Sequence, residues 1–189
     1  MKADNKIAEQ IKEISDTLPC GVTLIAVSKY HPVEAIIQAY EAGQKEFGES
    51  KAQDLVKKHE CLPDDIKWHF IGHLQTNKLK MVLPYVSLVQ SVDSFRLLEA
   101  INAWGEANNK VLSVLLEPHV AAEDTKQGFS PDELSDIFVK ASAGQFPCVR
   151  FKGIMGMATF TDDESVIRAD FAALREIYDG ARSVFFTDS

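Results

Sequence analysis

Short continuous apolar runs alternate along this chain with longer stretches whose apolar residues recur every three to four positions. Ile7, Ile11, Ile14 and Leu18 share one helical face, which predicts a first helix over roughly residues 4–18. Val22-Thr23-Leu24-Ile25-Ala26-Val27 follows between Gly21 and Lys29 and predicts a strand buried on both faces. Pro32 then opens a helix through Ile36, Ile37 and Tyr40, closed by Gly43. Further strands are predicted near 44–48, 67–72, 86–92, 111–118 and 149–156, and further helices near 51–60, 76–82, 94–108, 131–142 and 163–180. Val184-Phe185-Phe186 points toward a seventh strand. Three helix starts read as capping boxes, in which a side-chain oxygen caps the first turn and an acid or amide three residues on reaches back: Ser50/Gln53, Ser130/Glu133 and Thr161/Glu164.

Regular alternation of β and α with short connections implies a parallel sheet with right-handed crossovers. An open doubly wound sheet and a closed eight-stranded barrel compete. No GxGxxG follows the first strand and no GxxxxGK[ST] loop occurs, which favours the barrel. The expected fold class is therefore α/β, a (β/α)8-type barrel in one domain over residues 1–189, with about six strands in place of eight.

Composition narrows the partners. Twenty basic against twenty-eight acidic residues give a net charge of −8, which opposes binding to nucleic acid or anionic lipid. No apolar run approaches the ~20 residues of a membrane span, and the N-terminus lacks an apolar signal core. Cys20, Cys61 and Cys148 are few, odd in number and widely spaced, which fits a reducing cytoplasm.

Lys29 is the sharpest candidate for chemistry. It directly follows the first long apolar run, at the strand end where parallel α/β folds bind ligands, with apolar walls behind an amine able to attack an aldehyde. The bland alternative is a surface lysine ending a strand. Ser50, after Phe47-Gly48-Glu49, is a rim candidate or a helix cap. His69, in Trp68-His69-Phe70-Ile71-Gly72-His73, faces the same rim; its spacing to His73 would suit a metal only on a helix, which Gly72 opposes. Met157, after the sixth strand, could pack on a flat ring or simply fill the core. Asp162-Asp163-Glu164 reads as acids opposing a helix dipole, and Glu123, Asp124 and Lys126 as solvated loop charge.

These segments occur in a familiar order. Ala26-Val27-Ser28-Lys29, Phe47-Gly48-Glu49-Ser50, Trp68 through Lys78, Thr125-Lys126-Gln127-Gly128-Phe129 and Gly153 through Thr159 closely resemble the pyridoxal 5′-phosphate (PLP) homeostasis protein family, often called YggS or PROSC. The resemblance covers the chain from residue 20 onward. It implies a barrel like the N-terminal domain of alanine racemases, with PLP held as a Schiff base on Lys29 and Ser50, His69 and Met157 near the cofactor. The family's FGEN ends here in Ser50, and a hydroxyl cannot reproduce an amide's separate donor and acceptor. The family's later Ser-Met-Gly-Met-Ser and Val-Arg-Ile-Gly segments, which supply the last two strands and the phosphate site, do not occur in these 189 residues. A barrel open between its sixth and first strands, binding PLP weakly or not at all, is expected.

Three functions compete. The resemblance implies a cytoplasmic, monomeric PLP carrier without strong catalysis, serving PLP-dependent apo-enzymes. A PLP-dependent racemase would need a second base besides the lysine, and none of Tyr30, Tyr40, Tyr85 and Tyr178 is suitably placed in the sequence. A cofactor-free interaction barrel is the third reading. No catalytic or metal-binding residue is assigned.

Overall fold

Phe47, Trp68 and Phe70 lie on neighbouring strands, each 1% exposed, and share one apolar cluster with Ile36, Leu55 and Leu98 from the helices. That cluster forms the layer between sheet and helices. In the computed structural model, residues 6–121 and 127–185 are described, the last three by their backbone alone. Six strands form one sheet: β1 (Ala26–Val27), β2 (Glu46–Glu49), β3 (Lys67–Phe70), β4 (Val86–Val92), β5 (Leu112–Leu116) and β6 (Val149–Ile154). They pair in chain order and every pair is parallel. Helices α1 (Lys6–Thr17), α2 (Val33–Glu41), α3 (Ala52–His59), α4 (Leu79–Val82), α5 (Phe95–Asn108), α6 (Pro131–Ser142) and α7 (Glu164–Phe185) precede, separate and follow the strands, with a 3-10 turn (Thr76–Lys78) leading into α4.

Sequential order without reversal is barrel winding, not the switch of a doubly wound sheet. Among the described residues, β1 pairs only with β2 and β6 only with β5. The architecture is the expected α/β one, a six-stranded portion of a (β/α) barrel.

Two strand expectations are corrected. The apolar run at 22–27 is not a long strand buried on both faces: only Ala26–Val27 joins the ladder, and Val22 and Val27 are about half exposed. Its partner β2 begins at Glu46, so among the described residues the run ahead of Ala26 finds no ladder bonds. Val184 and Phe185 continue α7 and do not begin a strand, because they extend the sequence spacing of Leu174, Ile177 and Ala181; Phe186 lies outside the described residues.

Of the three capping boxes, Ser130/Glu133 forms with both reciprocal bonds. At α3 the cap is Lys51, and no side chain caps the helix. Ser50 is instead drawn against Gly72, where a Cβ would stand 2.4 Å from the Ser50 carbonyl oxygen. Ahead of α7, Thr161 Oγ1 accepts from Asp163 N and Asp163 Oδ1 from Ser165 N, giving two successive turns in place of a box.

Candidate functional site

Lys29 stands immediately beyond β1, exposed to solvent, with its backbone held by its neighbours. Ser28 N donates to Gly48 O at 3.0 Å, continuing the ladder one step past β1. His31 N donates to Ser28 O at 3.0 Å, and Tyr30 between them has φ 68°, so the chain reverses in a tight turn. A left-handed conformation at a tyrosine is uncommon and needs such a local constraint.

Beneath this turn is a buried polar cluster. Ser28 Oγ donates to Glu49 Oε1 at 2.6 Å. Lys58 Nζ, from the last turn of α3, donates to the same oxygen at 2.6 Å and to Ser28 O at 2.8 Å. The Glu49 and Lys58 side chains are 0% and 10% exposed. Beside the turn, a Cβ on Gly48 would lie 3.1 Å from Ile71 Cδ1 and 3.5 Å from Ile25 Cγ2, so the first three strand ends share an apolar floor. Ile71 N donates to Glu49 O at 2.9 Å and brings the half-buried Ser50 beside that floor.

His69 is buried on β3 with both ring nitrogens engaged. Nε2 lies 2.7 Å from Glu46 Oε2 and Nδ1 2.8 Å from Gln90 Nε2, which makes Nε2 the protonated nitrogen when the Gln90 amide donates. Burial alone would raise the Glu46 carboxyl, but hydrogen bonds from Lys67 and His69 outweigh it and hold the group below the usual carboxylate range. Met157 lies beyond β6, half exposed, lining a small cleft with Glu117, His119 and Gln127. Lys29 and Ser50 thus sit at adjacent strand ends, His69 is tied into the sheet beside them, and Met157 follows β6 on the far side of the sheet.

A second titratable group occupies the ends of β4 and β5. His73 Nδ1 lies 2.7 Å from Asp93 Oδ2, and Glu117 follows β5, 7% exposed. Burial, then the Asp93 charge, pushes the Glu117 carboxyl up to about 7, against a smaller opposing effect of His73. Asp163 meets the helix-start expectation through its bond to Ser165 N. Glu123, Asp124 and Lys126 lie outside the described residues. Among the described residues no three His, Cys, Asp or Glu side chains converge as a metal site.

Sequence reasoning missed Glu49, Lys58, Glu46 and Gln90. One signal was available: Lys58 falls on the buried stripe Ala52–Leu55–Lys58, where a charge is out of place. Glu49 likewise shares the face of Phe47 by strand alternation.

The alanine racemase N-terminal domain family matches residues 4–186. The chain is 35% identical over 179 residues to the pyridoxal phosphate homeostasis protein of Aquifex aeolicus, covering 93% of this chain and 78% of that one. Its structure resembles PipY of Synechococcus elongatus, solved with PLP bound, at a TM-score of 0.83 and 31% identity over 94% of this chain and 82% of that one. Alanine racemase from E. faecalis, at 19% identity and a TM-score of 0.73 over 93% of this chain and 48% of that one, shares the fold.

Proposed function

Since the chain belongs to the pyridoxal phosphate homeostasis protein family, whose fold is that of the alanine racemase N-terminal domain, we propose that it binds PLP at Lys29 and acts in PLP homeostasis as a carrier. The observation that carries this reading is the exposed Lys29 amine at the C-terminal end of β1, on a turn pinned by Ser28, beside the Ile25, Gly48 and Ile71 floor. These residues would fit the aldehyde end of the cofactor: an exposed amine one residue past the Ser28–Gly48 backbone bond, with no side chain on Gly48 at the neighbouring strand. PLP would supply an aldehyde carbon with which an amine can condense, one water leaving as the C=N bond forms. Lys29 provides the amine, Ser50 a hydroxyl at the next strand end, and His69 a fixed ring under the site. Met157 would reach the cofactor from the β6 side.

The reading extends to a monomeric, single-domain, cytoplasmic protein that passes PLP to apo-enzymes. No helix among the described residues is long and apolar enough to cross a membrane. Borohydride reduction of the PLP-loaded protein followed by peptide mapping tests the assignment. Label is expected on Lys29 and not on Lys45, Lys51 or Lys78. Label spread evenly over the lysines would overturn it.

A further inference from the structure

We propose that the buried Glu49–Lys58 pair is a positioning device for Lys29, acting through the Ser28 backbone. This rests on the reading of Lys29 as the PLP-binding amine and names residues that serve it. β1 alone is a poor anchor. It is two residues long, it has one sheet neighbour among the described residues, and a groove of about 220 Å³ lined by Ile7, Ile11, Ile14, Ile36 and Phe47 lies behind it. An edge strand that short is free to shift along its partner and carry Lys29 with it.

The pair removes that freedom at the residue preceding Lys29. Ser28 is gripped at three points: its N–H by Gly48 O, its hydroxyl by Glu49 Oε1, and its carbonyl by Lys58 Nζ and His31 N. Lys58 closes the triangle by donating to the same Glu49 oxygen. Stability alone is a weak reason for this arrangement, because a buried ion pair is often replaceable by apolar residues of the same volume without loss. The second Glu49 oxygen, Oε2, is buried without a hydrogen-bond partner, a further cost. What the pair supplies and apolar packing cannot is a directional fix on one carbonyl and one hydroxyl.

The test compares Lys29 trapping with fold stability. The charge-neutral double variant Glu49→Gln/Lys58→Met and the single variant Ser28→Ala are loaded with PLP and reduced, and the Lys29 adduct is quantified against PLP concentration. Leu55→Ala, which opens a cavity on the same buried face of α3 without touching Ser28, is the stability control, and exposed Lys57→Met is the charge control. With cooperative melting retained, the double variant should weaken Lys29 adduct formation at least tenfold and spread label to other lysines, and Ser28→Ala should fall between it and the native protein. Leu55→Ala should lower the melting temperature with Lys29 still the labelled site, and Lys57→Met should change neither. Native-like trapping in both the double variant and Ser28→Ala overturns the positioning role while leaving the PLP reading intact. Equal loss of trapping in Leu55→Ala at matched melting temperature also overturns it. Should the double variant fail to fold, Ser28→Ala against Leu55→Ala decides alone. Absence of a Lys29 adduct in the native protein overturns the PLP reading itself, and the positioning role with it.

Discussion

Asp93 Oδ2 lies 2.7 Å from His73 Nδ1 at the C-terminal ends of the strands, with Asp93 9% exposed and the His73 side chain 52% exposed. Glu117 stands at the end of the next strand, and its burial, reinforced by the Asp93 charge, pushes its carboxyl up. The result is a pair of acids of which one resists ionisation.

Stability should therefore fall as pH rises from about 4.5 to neutrality. Glu117 titrates near 4.5 when exposed and at about 7 in the fold. Between those values the folded state holds a proton that the unfolded state has lost, so its contribution is complete below 4.5 and gone above about 7. A shift of that size corresponds to at most about 3 kcal/mol, reduced by solvent screening at a group that water still reaches. Glu117→Gln cannot ionise, so its melting temperature should exceed the native one above neutrality, with the gap closing in mild acid. Melting curves from pH 4 to 9 check this, and a constant gap would exclude Glu117 as the source.

Two glycine substitutions should have opposite signs. At Gly72 a Cβ would meet the Ser50 carbonyl oxygen at 2.4 Å and Ser50 Cβ at 2.7 Å. Backbone must move, so Gly72→Ala should destabilise by about 1–3 kcal/mol. Gly180 lies within α7 with nothing inside 4 Å of its added Cβ. Gly180→Ala should stabilise by roughly 0.5–1 kcal/mol through helix propensity. Denaturant midpoints for the two variants measure both.

Lys29→Ala should leave stability within about 0.5 kcal/mol of the native value, since the side chain is exposed and truncation opens no apolar cavity. Its turn is held by backbone and side-chain bonds of Ser28, which the substitution leaves in place. Circular dichroism and urea unfolding check the fold, and the cofactor's visible absorbance checks the loss of attachment. A destabilised variant would make Lys29 a structural residue.

How much could be read in advance depended on whether a feature is local. The Ser130/Glu133 cap and the 131–142 helix were legible because their bonds span three or four residues. β4 was legible as a short apolar run, Val86 to Val92, between a proline and the cap of the next helix. Lys29 was legible from its place at a strand end. The extent of β1 was not, because composition gives the apolar run at 22–27 but not how many ladder partners it finds. The Glu46–His69–Gln90 chain crosses three strands, and its members meet only once the register is set. Glu49 and Lys58 meet because β2 and α3 pack, which no local pattern encodes, although each stood out as a charge on an apolar face.

Racemisation is expected to be absent even with PLP saturating. Inversion at an amino acid's α-carbon needs proton transfer on both faces, hence a second base opposite the lysine. The tyrosines are occupied elsewhere. Tyr40 donates to Asp65 Oδ1 at 2.6 Å. Tyr85 precedes β4, at the opposite end of the sheet from Lys29, and its ring stacks on His59 at 4.6 Å. Tyr178, on α7, packs over Gly153 of β6. Tyr30 is at the right end of the sheet, but it is 79% exposed and adjoins Lys29 in a left-handed turn, with Lys51 Nζ 5.1 Å from its ring. Incubation with either alanine enantiomer, followed by chiral chromatography, should show no turnover in the ordinary enzyme range of about 1–1000 s⁻¹. If turnover in that range appears and Tyr30→Phe abolishes it, Tyr30 is the second base and the carrier reading fails.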